Sequence, residues 1–273
     1  MQNLFTRTIT GIVFVACIIG SLLWHPFAFS AVIFVLMIIG LREFYQLAHM
    51  HNIQPDRWSG YSVASVIFLL SILNAFEIIS PWMLAALVPL VFIFFLAEMF
   101  RNRANAMMNL AFSIFPVAYI SIPLSMLIYL MSPLVTGDHP YWHIPLAFFM
   151  ILWSHDTFAY LTGILLGKHK LMEKVSPKKT WEGTIGGTIF GMVAAYIISL
   201  FFAEILTWQW IVAALIISVT GTLGDLSESL LKRSFHVKDS GTVFPGHGGV
   251  LDRFDAVLFS APSLFCYLIL MKI

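Results

Sequence analysis

The chain has 273 residues, 59% of them hydrophobic and 11% charged, with a mean hydropathy of +0.89 and a formal charge of +1. These values exclude a soluble globular domain, and the absence of a bulk basic excess argues against nucleic acid as a partner. The only two cysteines, Cys17 and Cys266, lie far apart inside apolar runs, which points to packing residues and away from a disulfide framework or a zinc site.

A membrane helix needs about 20 mostly apolar residues. On that criterion the chain carries nine spans, near 8–24, 27–48, 60–79, 82–100, 106–131, 144–166, 183–205, 208–231 and 253–271. The fold class is therefore an all-α polytopic membrane protein. The first run follows Arg7 but has no small-x-small cleavage pattern and is followed at once by another span, so it reads as a helix and not as a signal peptide. Five spans fall in an N-terminal region, 1–140, and four in a C-terminal region, 141–273, where the polar motifs gather.

Basic residues of short loops collect on the cytoplasmic side. With alternating spans, one side receives Arg7, Arg42, Arg57, Arg101, Arg103, Lys168, Lys170, Lys174, Lys178, Lys179, Lys232, Arg233, Lys238 and Arg253, leaving only Lys272 of the 15 opposite. This predicts a cytoplasmic N-terminus, an external C-terminus and a multi-pass protein of the plasma membrane. Lys168, Lys170 and Lys174 are equally well read as topology anchors against anionic lipid.

Asp156 falls within the sixth span and Asp225 and Glu228 within the eighth. A carboxylate at mid-span costs about 2.5 to 3.5 kcal/mol on insertion scales, so each should face the bundle interior and have a partner. Asp225, Glu228, Ser229 and Lys232 stand at i, i+3, i+4 and i+7, one helical stripe running from acid to base. An internal ion pair locking helices together is the alternative reading.

The segment FPGHGGVLDRFD, 244–255, places Gly246, Gly248 and Gly249 before the ninth span, where free N–H groups suit a phosphate. Asp252 and Asp255 in the same segment suit a divalent cation bridging to phosphates, or, for Asp255, simple favourable placement in the first turn. VSPKKTWEG repeats the pattern: Lys178 and Lys179 offer phosphate contacts, Thr180 a helix cap, Trp181 an interfacial anchor and Glu182 another acid. Gly163 with Gly167, and Gly187 with Gly191, have the spacing of close helix packing.

Ser229-x-x-Lys232-Arg233, Lys238-Asp239-x-Gly241 and Phe244-Pro245-x-His247-Gly248-Gly249-Val250-x-Asp252-Arg253-Phe254-Asp255 together resemble the signature of the phosphatidate cytidylyltransferases, the CDP-diacylglycerol synthases. The resemblance extends to SPKKTWEG and to Asp156-Thr157-x-Ala159-Tyr160, while the first 140 residues match only as a multi-span pattern. It implies reaction of CTP with phosphatidate to give CDP-diacylglycerol and pyrophosphate, with Mg²⁺ held by Asp225 and Asp252 and with Asp255 and Glu228 nearby. It further implies a second, monovalent cation such as K⁺, and a homodimer.

On this reading Asp225, Lys232, Asp252 and Asp255 are the catalytic set. Lys178, Lys179, Glu182, Ser229, Arg233, Lys238, His247, Gly248, Gly249 and Arg253 bind substrate, His247 as a phosphate or nucleotide contact and not as a base, with interface anchoring the alternative for Lys178 and Lys179. Two rivals remain: a CTP-dependent lipid kinase, whose alcohol acceptor would need a base, and a cation-coupled transporter, which the one-sided clustering of charge and the lack of an internal repeat disfavour.

The orientation has a direct check. With Cys17 and Cys266 replaced by alanine, a Lys170→Cys variant should react with a membrane-impermeant maleimide from the cytoplasmic side only. Labelling from outside reverses the topology.

Overall fold

The structure, a computed structural model, describes residues 2–137, 139–202, 205–241, 243 and 248–271, with side chains from residue 8 onward. Helices α1 (Gln2–Trp24), α2 (Pro26–Met50) and α3 (Arg57–Ala75) are followed by a 3₁₀ segment, Pro81–Leu90, that continues into α4 (Val91–Arg101). Next come α5 (Ala106–Pro116), a π-helical turn at Val117–Ser121, α6 (Ile122–Tyr129) and the single turn α7 (Pro133–Thr136). The C-terminal region consists of α8 (His143–Leu166), strands β1 (Lys170–Met172) and β2 (Ser176–Thr180), α9 (Trp181–Ser199), α10 (Thr207–Ser234) and α11 (Leu251–Leu270).

Among the described residues, eight of these segments are long and apolar enough to cross a membrane, and Thr8–Trp24 adds a shorter apolar helix, in agreement with the nine spans expected. The fifth span is one continuous rod interrupted by Pro116, whose missing N–H coincides with the π turn. Trp24, Trp58, Trp82, Trp181 and Trp208 stand exposed at helix ends, as residues of an interfacial belt do. Phe92, Phe95, Leu96 and Phe100 expose one apolar flank of the fourth span, which a lipid solvent accommodates.

One buried core joins the two regions of the chain, running from Ile18 and Phe29 through Leu127 and Phe148 to Leu264. Within the C-terminal region, α8 packs along α9, α9 along α10 and α10 along α11. The α8–α9 approach depends on missing side chains: a Cβ on Gly187 would lie 2.7 Å from the Ala159 methyl and from the His155 carbonyl. The expected packing role of that glycine is therefore what its surroundings require. A polar link crosses from α8 to α10, where His155 Nε2 lies 3.2 Å from Thr222 Oγ1. Because Thr222 gives its own proton to the Ser218 carbonyl at 2.9 Å, the imidazole is the donor in that link.

The hairpin of β1 and β2 is not revealed by the hydropathy pattern. Its strands are antiparallel, with Lys170 opposite Thr180 and Met172 opposite Ser176. Pro177 sits within β2, tolerated because a two-stranded ribbon has only edges.

Candidate active site

The hairpin determines where the 167–182 lysines go. Thr180 caps α9 by accepting the Gly183 N–H at 3.2 Å, as its position predicts. Glu182, in the first turn, folds back on the hairpin: it accepts from the N–H groups of Lys168 (3.1 Å) and His169 (3.2 Å) and lies 2.6 Å from His169 Nδ1. Glu182 thus fixes the start of the hairpin and is not among the residues that line the cavity. The expectation that it lies beside the substrate gives way to a bracing role, because every short contact of its carboxylate is on its own loop.

With β2 so placed, Lys179 Nζ meets Asp225 Oδ2 at 2.5 Å, joining the hairpin to α10. Asp225 also accepts from Ser229 Oγ, one turn along, at 3.3 Å. Lys232 lies between two acids, paired with Glu228 on its own helix and with Asp252 Oδ1 of α11 at 2.6 Å. The expected stripe therefore exists as two i,i+4 couples, one facing the hairpin and one facing α11. The helix-locking alternative describes Lys232 well. Removing this cation would take the bridging ammonium from two nearly buried carboxylates, Glu228 and Asp252, whose side chains are 3% and 7% exposed.

Asp252 is almost fully engaged. Beyond Lys232, its Oδ2 accepts from Gly249 N (2.7 Å) and Ser240 N (3.0 Å), with Ser240 Oγ also at 3.0 Å. Gly248 adopts φ +86°, and a Cβ there would fall 2.6 Å from Asp252 Oδ2, so glycine answers both to the backbone and to the room the carboxylate needs. Asp255 Oδ1 lies 2.7 Å from its neighbour Ala256 N.

These groups surround a cavity of about 900 Å³ lined by Asp156, Asp225, Asp252 and Asp255, by Lys170, Lys178, Lys179 and Arg253, and on another side by α1 and α8. The two basic loops, distant in sequence, thus meet at one end of the α8–α11 bundle. Arg233 and Lys238 are exposed and do not line the cavity; Arg233 reaches the Val237 carbonyl at 3.4 Å. His247 lies outside the described residues. Lys170, open in the sequence between a topology anchor and a functional contact, lines the cavity, and sequence reasoning missed the α1 face of Thr10, Gly11, Phe14 and Val15. It also missed Glu43, an intramembrane acid that the rule applied to Asp156 would have flagged.

Among the described residues, no group of three His, Cys, Asp or Glu side chains could hold a metal on protein ligands alone. Mg²⁺ does not need such a cage, since it takes one or two carboxylates and completes its shell with water and substrate phosphates. An all-oxygen donor set with Asp225 34% exposed is compatible with that mode.

Comparison with known proteins gives this arrangement a family. Residues 5–271 match the model of the cytidylyltransferase family. The chain belongs to that family. Relatives include proteins named phosphatidate cytidylyltransferase from Staphylococcus haemolyticus, 35% identical over 268 residues that cover 97% of this chain and 99% of the relative. A protein of the same name from Staphylococcus saprophyticus is 34% identical over 265 residues, 96% of this chain and 98% of the relative. The match to the family spans the N-terminal helices as well, beyond the C-terminal half that carries the motifs.

Lys232→Met should destabilise the protein by about 3 to 5 kcal/mol, the usual cost of leaving buried charges unpaired. Thermal unfolding in detergent measures it, and a Lys232→Met/Glu228→Gln double variant should recover part of the loss. A single variant as stable as the native protein would contradict the bridging role.

Proposed function

We infer that this membrane protein transfers the cytidylyl group of CTP to phosphatidate, giving CDP-diacylglycerol and pyrophosphate. The observation that carries the reading is the meeting of acid and base at one cavity: Lys179 on Asp225, with Lys170, Lys178 and Arg253 around it. Full-length similarity to proteins named phosphatidate cytidylyltransferase supports the choice of substrates.

The nucleophile is a phosphate oxygen of phosphatidate. A phosphomonoester with a second pKa near 6 is already largely ionised at neutral pH, so no protein base is required. That oxygen bonds to the α-phosphorus of CTP while the α–β bridging bond breaks and its electrons leave with pyrophosphate. The obstacle is repulsion between two anions, and fixed positive charge is what lowers it. Lys178, Lys179 and Arg253 orient the phosphates, with Lys170 as an added contact. Ser229 holds Asp225 by its hydroxyl, and Gly248 and Gly249 keep the backbone low at the start of α11. Lys232 balances Glu228 and Asp252, and Asp255 adds a further carboxylate to the cavity wall. Arg233 and Lys238, outside the wall, supply longer-range attraction for CTP.

Asp225 and Asp252 would hold Mg²⁺, with Asp252 giving up one of its contacts with Lys232, Ser240 or Gly249 to do so. When bound, the cation neutralises charge on the triphosphate and on the departing pyrophosphate. The cytoplasmic face is the side from which CTP arrives, which suits the orientation given by the basic residues. The apolar wall of Phe14, Val15 and Ile164 suits a lipid whose headgroup reaches the charged end.

Purified protein incubated with phosphatidate, CTP and Mg²⁺ should form CDP-diacylglycerol, and Asp252→Asn should lower the rate by roughly a hundredfold or more, as loss of a charged active-site group does. No product from the native protein, or full activity in the variant, contradicts the assignment.

A further inference from the structure

Glu43 lies on α2, in the N-terminal region, and is 2% exposed. Its carboxylate reaches a segment more than 190 residues away in sequence. Oε1 accepts from Val250 N at 2.9 Å, and Oε2 accepts from Leu251 N at 3.0 Å. Ser240 Oγ lies 3.3 Å from Glu43 Oε2 and 3.0 Å from Asp252 Oδ2, so its single hydroxyl hydrogen serves one acid at a time. The first N–H groups of a helix have no partner within the helix, and α11 has no cap from its own N-cap side chain. Glu43 supplies that cap from another span, and a carboxylate there also complements the helix dipole.

Two glycines of the loop are shaped to this acid. A Cβ on Gly249 would stand 2.5 Å from Glu43 Oε2 and 2.6 Å from Oε1, and one on Gly241 would meet Oε1 as well, with the carboxyl carbon at 2.7 Å. Ser240, next to Gly241, and Gly249 are thus both held against one carboxylate. Asp252 grips the same two residues from the other side.

We propose that Glu43 is a positioning residue for the transfer reaction: it holds Ser240 and Gly241 against Gly249, Val250 and Leu251 and so sets where Gly248, Asp252 and Lys232 stand relative to the cavity. This role rests on the transferase reading above. It gives the N-terminal helices a task in catalysis, which the motif-bearing half alone does not suggest. Glu43 acts through Val250, Leu251 and Ser240, and touches neither substrate nor reacting atoms.

The test compares native protein, Glu43→Gln and Ser240→Ala, all full length and purified. A clamp displaced by even 1 Å can cost about a hundredfold in rate. Glu43→Gln should therefore lower kcat by a factor of that order, while KM for phosphatidate stays near native. Hydrogen exchange at Val250 and Leu251 should quicken. Ser240→Ala, which leaves the two backbone bonds in place, should show a smaller loss in kcat and keeps the question answerable if Glu43→Gln does not fold. Native kcat in folded Glu43→Gln, or in Ser240→Ala where the first variant does not fold, overturns the positioning role and leaves the transferase reading intact. A fall in stability with kcat unchanged makes Glu43 a structural cap only and equally overturns it. Absence of CDP-diacylglycerol from the native protein overturns the reading, and this role with it.

Discussion

Lys232 stands between Glu228 and Asp252, and the end of the bundle is organised around that cation. Carboxylates are expensive where water is scarce, and an unpaired one within a span would disfavour the fold itself. One ammonium group serving two acids on neighbouring helices joins α10 to α11 and fixes the start of α11. Asp252, held from that side, then fixes Gly249 and Ser240, so the position of the glycine loop follows from the charge balance beneath it. Lys179 and Asp225 repeat the device at the hairpin, with the difference that this pair is partly open to the cavity.

The distinction between closed and open pairs carries functional weight. Glu228 and Lys232 form a buried ion pair away from the cavity wall, and Lys232 links it to Asp252, which does line the cavity. Asp225, Lys178, Lys179 and Arg253 border space large enough for a ligand, and there an incoming triphosphate can exchange one electrostatic partner for another. A site that must accommodate two polyanions in a lipid surrounding is best built with cations already held close by acids, since the apo state then carries little unbalanced charge.

The spans were legible because each is a long apolar run bounded by charge, and the pairing of the two basic loops followed from their alternation across the membrane. The hairpin at 170–180 was not, since strands of three and five residues with Pro177 in one of them leave no period to detect. The stripe from Asp225 to Lys232 was read correctly as a stripe, but only coordinates divide it into a couple facing β2 and a couple facing α11. Gly248 and Gly249 were assigned to phosphate contact; their immediate neighbours are the carboxylates of Asp252 and Glu43. Glu43 escaped notice because Arg-Glu near the end of an apolar run reads as an interface pair, and its partners at 240, 250 and 251 are invisible without the fold. Glu182 shows the opposite case: a motif acid beside two lysines looks like a ligand, yet its contacts are the backbone of Lys168 and His169 and the His169 imidazole on its own loop.

Cytidylyl transfer fixes where each phosphorus atom of CTP must go, so their fate is the sharpest test of the reaction. With CTP labelled at the α-phosphorus, label should appear in the lipid product. With CTP labelled at the γ-phosphorus, label should appear in pyrophosphate and none in lipid. Transfer of γ-label to lipid with release of CDP would contradict the account and identify a kinase.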